Sequence, residues 1–165
     1  MAIGVLKGER HTYRHDLESL FYVFLWTIIT DHKSSSPLGS KLEAWSRGTW
    51  DDPALPQRKL LDMTRDGFQT ILKEFGPQYH SLKLLAERLH EILFPLREGA
   101  IWTGTDLSRE GTDKLYDGMI RVFEDAIAAE KARQAESTLS IKSQQLWCCI
   151  RAPTPTTKCR YLSGE

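Results

Sequence analysis

The chain carries no excess charge of either sign, with 22 Lys and Arg against 22 Asp and Glu. A balanced chain is not drawn to polyanions by its overall field, so neither a nucleic-acid partner nor an anionic membrane is expected. Cysteine is missing from most of the sequence, and the three present, Cys148, Cys149 and Cys159, crowd the C-terminal end. An odd, clustered set makes a poor disulfide framework. Adjacent cysteines with no histidine nearby also lack the spacing of a zinc site. A reducing, intracellular compartment, cytoplasmic or nuclear, is the expectation.

Long apolar runs are absent too. The stretch MAIGVLKGER reaches charge before any signal-peptide core could form, and no segment approaches the roughly 20 apolar residues that span a bilayer. Neither G-x-G-x-x-G nor G-x-x-x-x-G-K-[ST] occurs among the 11 glycines, so the chain has no phosphate cradle of its own. Strand alternation, hairpin signals and internal repeats are likewise lacking.

What is present is helical periodicity. From Asp16 to Ile29, Leu17, Leu20, Phe21, Phe24, Leu25 and Ile28 recur at helical spacing. Tyr22, Val23, Trp26 and Ile29 make the other faces apolar as well, which predicts a central helix enclosed by other elements. Short helical stretches follow in KLEAWSRGTW and ALPQRKLLDM, then DGFQTILKEF with Phe68, Ile71, Leu72 and Phe75 on one face. Tyr79 to Phe94 reads as an amphipathic helix closed by Pro95. Residues 96–111 read as a surface loop. Asp113 to Ala135 forms a last helix with Tyr116, Met119, Ile120, Phe123 and Ile127 on its stripe. The expected class is all-α, with a helical domain over 1–136 and a loosely ordered tail over 137–165, where Pro153 and Pro155 bar a helix.

Local motifs offer little chemistry. His11 and His15 stand four apart, but without the glutamate of H-E-x-x-H they are not read as metal ligands. Phe21, Tyr22, Phe24 and Trp26 read as core rather than a ligand box. Arg14-His15-Asp16-Leu17 looks like a scrambled H-R-D-L, with Phe21 where the metal-holding asparagine would stand, and Asp66-Gly67-Phe68 reverses D-F-G. Neither is read as a catalytic site. Asp16 is the one candidate site residue. At the mouth of an apolar helix its carboxylate can cap the helix start, or reach out to organise the backbone of a neighbouring loop.

The opening MAIGVLKGERHTYRHDLESLFYVFLW resembles the fungal-type protein kinase family, in which a segment like F-M-A-I-E-V-L ends the activation segment and H-T-Y-R-H-D-L-E-S opens the central helix of the C-lobe. The likeness is strong over residues 1 to 32 and weaker to about Pro95. It implies a kinase-like helical C-terminal lobe built around a buried central helix, with Asp16 supporting the catalytic-loop backbone. Gly4 stands where the family carries a glutamate that pairs with an arginine of the lobe, and Arg97 is not assigned as that partner.

The family activity implied is ATP-dependent phosphorylation of protein serine or threonine. The glycine-rich loop, the β3 lysine, the catalytic loop and D-F-G would all precede Met1. The chain is therefore expected to be a C-lobe fragment with no catalytic, cofactor or metal residues of its own. ATP and Mg would belong only to a full-length family member, and the expected partner is a protein, either a substrate or the missing kinase half. The alternative is a non-catalytic helical scaffold that binds another protein through a groove around residues 37 to 58.

Overall fold

In the computed structural model, residues 1–31, 37–47, 49 and 51–151 are described, with the backbone alone for 137 and 139–151. Cys148 and Cys149 therefore enter through their backbone only, and Cys159, Pro153 and Pro155 lie outside the described residues. Residues 1–126 form one compact unit and residues from Ile127 onward a second.

The architecture is all-α, as the periodicity requires. Helix α1 (Ile3–Leu6) leads to the long α2 (Tyr13–Thr30), followed by α3 (Lys41–Ser46), α4 (Leu55–Asp62) and α5 (Arg65–Lys73). A 3-10 turn over Pro77–Leu82 feeds α6 (Lys83–Leu93), and α7 (Arg109–Arg151) closes the described chain. Polar side chains mark the helix starts. Ser40 accepts the Leu42 N–H at 3.1 Å, and Thr64 accepts that of Gly67 at 3.2 Å, satisfying amides the helix itself leaves open. Glu74, at the end of α5, accepts from the Ser40 hydroxyl at 2.5 Å and from the Lys41 N–H at 3.0 Å, which ties α3 to α5. Among the described residues no helix is long and apolar enough to cross a membrane.

The core of the first unit gathers on α2, where Phe21, Leu25, Ile28 and Ile29 are buried. The Phe21 ring meets Phe68 of α5 at 5.8 Å and Phe94, just after α6, at 6.2 Å, while Tyr22 meets Trp45 of α3 edge-on at 5.2 Å. Enclosure is not complete, contrary to the expectation from composition. Leu20 is 49% and Val23 60% exposed, and with Asp16 and Thr27 they form an open stripe along one side of α2.

Three further features depart from the sequence reading. Leu96–Arg97 (β1) and Ala100–Ile101 (β2) pair as an antiparallel hairpin inside the stretch read as loop. Glu98 and Gly99 both take positive φ, 52° and 79°, the geometry of a tight two-residue hairpin turn. The strands are too short to show alternation. The buried stripe of α7 within the first unit is Leu115, Met119, Val122, Phe123 and Ala126, and Tyr116 and Ile120 face outward, so the helix is rotated from its predicted face. Finally, the backbone stays helical through Arg151, past the point at Ser137 where apolar periodicity stops.

The α4–α5 corner is set by one glycine. A Cβ on Gly67 would stand 2.3 Å from the Leu61 carbonyl oxygen and 2.9 Å from the Asp62 Cα. Both are backbone atoms, so no rotamer change relieves the overlap. In an open helix Gly→Ala gains up to about 1 kcal/mol, whereas overpacking costs about 1–3 kcal/mol. Gly67→Ala is therefore expected to lower stability by about 1–2 kcal/mol, read as a lower urea midpoint. A raised midpoint would show that the corner yields.

Candidate functional site

The N-terminal half of α2 projects charged residues in opposite directions. Arg14 and Glu18 point inward, 2% and 0% exposed, on a helix face that sequence periodicity marks as apolar. Each survives burial because its polar atoms are matched. Arg14 Nη1 donates to Glu18 Oε2 at 2.9 Å, and Nη2 donates to the carbonyl oxygen of Leu93 at the end of α6. Glu18 Oε1 accepts the Ile3 N–H at 2.8 Å and the Tyr22 hydroxyl at 2.7 Å.

Lys59 of α4 completes the buried group. Its Nζ donates to the Met1 carbonyl at 2.7 Å and sits 3.6 Å from the centre of the Tyr22 ring and 4.9 Å from that of Trp45. Burial holds its pKa at about 8, with Glu18 opposing the shift. The same burial, with Glu18 beside it, raises the Tyr22 hydroxyl well above its usual value. Residues 1–6 are thus anchored by Glu18 and Lys59. A Cβ at Gly4 would lie 2.4 Å from His15 Nε2, so the His15 ring fills the space a side chain there would need.

Asp16 is on the outside. Its carboxylate is 3.3 Å from His11 Nε2, with both side chains mostly exposed, a pair worth little in water. The helix start is served by other residues. His15 Nδ1 accepts the Thr12 N–H at 3.2 Å, and His15 N–H bonds the Thr12 carbonyl at 2.9 Å. The capping role considered for Asp16 thus belongs to Thr12 and His15, leaving Asp16 at the head of the open stripe. His15 Nε2 is buried without a hydrogen-bond partner, 3.9 Å from Glu9, and burial lowers the pKa of the ring.

The family model described as fungal protein kinase matches residues 1–28. No curated protein and no solved structure matches the chain. The matched stretch contains α1, the Arg14–Glu18 pair and all four residues of the open stripe.

The other sequence candidates are placed apart. Asp66 and Gly67 lie in the first turn of α5 and Phe68 in the core. Arg97 stacks over Trp102, its guanidinium 3.5 Å from the ring centre. Among the described residues no group of three His, Cys, Asp or Glu could hold a metal ion. Sequence reasoning passed over Glu18 and Lys59. For Glu18 a signal was present: R-x-x-x-E on an otherwise apolar helix sets opposite charges one turn apart. For Lys59, buried by long-range packing, nothing local gave it away.

Two expectations follow. Glu18→Ala leaves Arg14 buried without its counter-charge, and should cost about 3–5 kcal/mol, measured by urea unfolding. A loss below about 1 kcal/mol would mean that water replaces the carboxylate. The second concerns pH. Because folding favours the neutral Lys59 amine, the unfolded chain holds more protons between about 8 and the ordinary value of 10.5, so stability rises with pH across that window. Above pH 10 the Tyr22 hydroxyl, ionising more readily when unfolded, opposes the rise. The urea midpoint should therefore increase from pH 8.0 to 9.5, by up to about 2 kcal/mol in stability, and Lys59→Met should flatten it. A midpoint that falls over this range in the wild type would show Lys59 charged and well solvated.

Proposed function

We propose that this chain is the helical C-terminal part of a fungal-type protein kinase, and that by itself it transfers no phosphate. The observation that carries the reading is the open stripe of Asp16, Leu20, Val23 and Thr27 on a helix otherwise enclosed, lying within the stretch that the fungal protein kinase family matches. Large apolar side chains left in water on the central helix of a domain are the sign of a missing partner surface. In this reading the partner is the kinase half that carries the catalytic loop. Asp16 accepts hydrogen bonds from that loop's backbone, and Leu20 and Val23 supply the apolar contact.

The chemistry is divided accordingly. Phosphate and Mg contacts in kinases come from the glycine-rich loop, the β3 lysine, D-F-G and the catalytic-loop asparagine, all outside these residues. What this chain contributes is positioning: a rigid helix, braced from behind by the Arg14–Glu18 pair, that presents a carboxylate at a fixed height.

The test supplies an upstream kinase half of the family, expressed separately, and follows phosphotransfer to a serine/threonine peptide. Leu20→Asp with Val23→Asp should leave the stability of the chain within about 0.5 kcal/mol, because both sites are exposed, yet abolish the restored activity. Asp16→Asn should lower turnover on the order of a hundredfold, as expected when catalytic groups shift by about an ångström, with the melt unchanged. The chain alone should give no heat with Mg-ATP. A saturable micromolar isotherm for the chain alone, or full turnover in both variants, would overturn the proposal.

A further inference from the structure

On a different side of the first unit, α4, α5, α6 and the hairpin enclose a groove of about 1010 Å³. Its floor is Met63, Phe68 and Phe94, each at most 3% exposed. The His90 ring lies flat on Phe68, with centroids 4.1 Å apart and planes 8° from parallel. His90 Nε2 is 2.8 Å from the Met63 carbonyl, so it carries the proton and donates it. Held on both counts, the imidazole serves as a fixed slab of the floor.

Two leucines from separate elements stand in water along this groove, Leu61 of α4 at 57% and Leu96 of β1 at 72% exposure. Single exposed leucines are ordinary. Two of them flanking an apolar trough continue it into a binding surface. The charges along it are uneven. Glu87 and Glu91, one turn apart on α6, line it with His90 and with Arg65, the single Lys or Arg among the described lining residues. Glu87 accepts from Gln69 Nε2 at 3.1 Å, and Glu91 makes no hydrogen bond or ion pair among the described residues.

We propose that this groove docks an amphipathic, cationic peptide segment of a partner protein. Its apolar residues would pack against the exposed Leu61 and Leu96 above the buried Met63–Phe68–Phe94 layer, and its lysine or arginine would face Glu87 and Glu91. The two exposed leucines, on separate elements at the groove's margin, argue for an extended segment that reaches beyond the trough. Charge complementarity argues for a basic one. Leu20 and Val23 are not part of this surface, so the proposal stands or falls independently of the kinase reading. Of the residues 37–58 where a scaffold groove was expected, Gln57 lines this one.

The test uses a fluorescein-labelled amphipathic helix of leucine and lysine, and a counterpart with glutamate in place of lysine, titrated by anisotropy against the whole chain. The leucine–lysine peptide should bind saturably, at least about tenfold tighter than its counterpart, with the difference shrinking in high salt. Leu61→Ser with Leu96→Ser should weaken binding by about tenfold or more. Glu87→Lys with Glu91→Lys should invert the preference. Charge reversal at the exposed Glu110 of α7, which does not line the groove, should change nothing. All these sites are surface positions except the partly covered Glu87, and each variant's melt is compared with wild type. Equal affinity for the two peptides, or affinity unmoved by the leucine pair, would overturn the proposal. So would sedimentation showing the groove already filled by a second copy, as a dimer that Leu96→Ser dissolves.

Discussion

The buried pair of Arg14 and Glu18 is the constraint on which the rest of the first unit depends. An ion pair taken out of water persists only when nearly every donor and acceptor on it is matched. Here the matching partners come from three places in the chain: the Ile3 amide before α2, the Tyr22 hydroxyl within it, and the Leu93 carbonyl at the end of α6. Satisfying this one pair therefore fixes where the N-terminal segment runs and how α6 meets α2. Because α6 also forms a wall of the groove, the position of that wall is set from the same point.

Charge thus sorts along α2 by direction. Arg14 and Glu18 face inward and brace, while Asp16 and Thr27 face outward with Leu20 and Val23 between them. A carboxylate that capped its own helix would be spent on local amides. With Thr12 and His15 taking the cap, the Asp16 carboxylate is left available to another backbone, which is the role the proposed function gives it.

Much of this was legible in the sequence, and the parts that were not have physical reasons. Helix α2 announced itself because Phe21, Leu25 and Ile28 repeat at a helical period. So did α5, through Phe68, Ile71 and Leu72. The hairpin at Leu96–Ile101 was hidden because paired segments of two residues carry no alternation, leaving only Glu98-Gly99 as a turn signal. On α7 the apolar residues run wider than one stripe, so periodicity alone could not choose between Tyr116, Ile120 and Ile127 and the Leu115, Val122 and Ala126 that pack. The open stripe on α2 was invisible for the opposite reason. Leucine and valine read as core wherever they occur on an apolar helix, and only the arrangement of the neighbouring helices shows which of them is left uncovered. Asp16 stood out in the sequence as a polar residue at the mouth of an apolar helix, but the cap considered for it belongs to Thr12 and His15, which no spacing rule distinguished from it.

The close approach at Gly67 has a consequence for recognition. With the first turn of α5 in backbone contact with the last turn of α4, the corner between Leu61 and Phe68 cannot flex without breaking the contact that defines it. One side of the groove is consequently shaped before any ligand arrives. Binding there draws on preorganisation: little ordering entropy remains to be lost on the protein's side. Association by direct docking is then expected, with no slow step of closure around the guest.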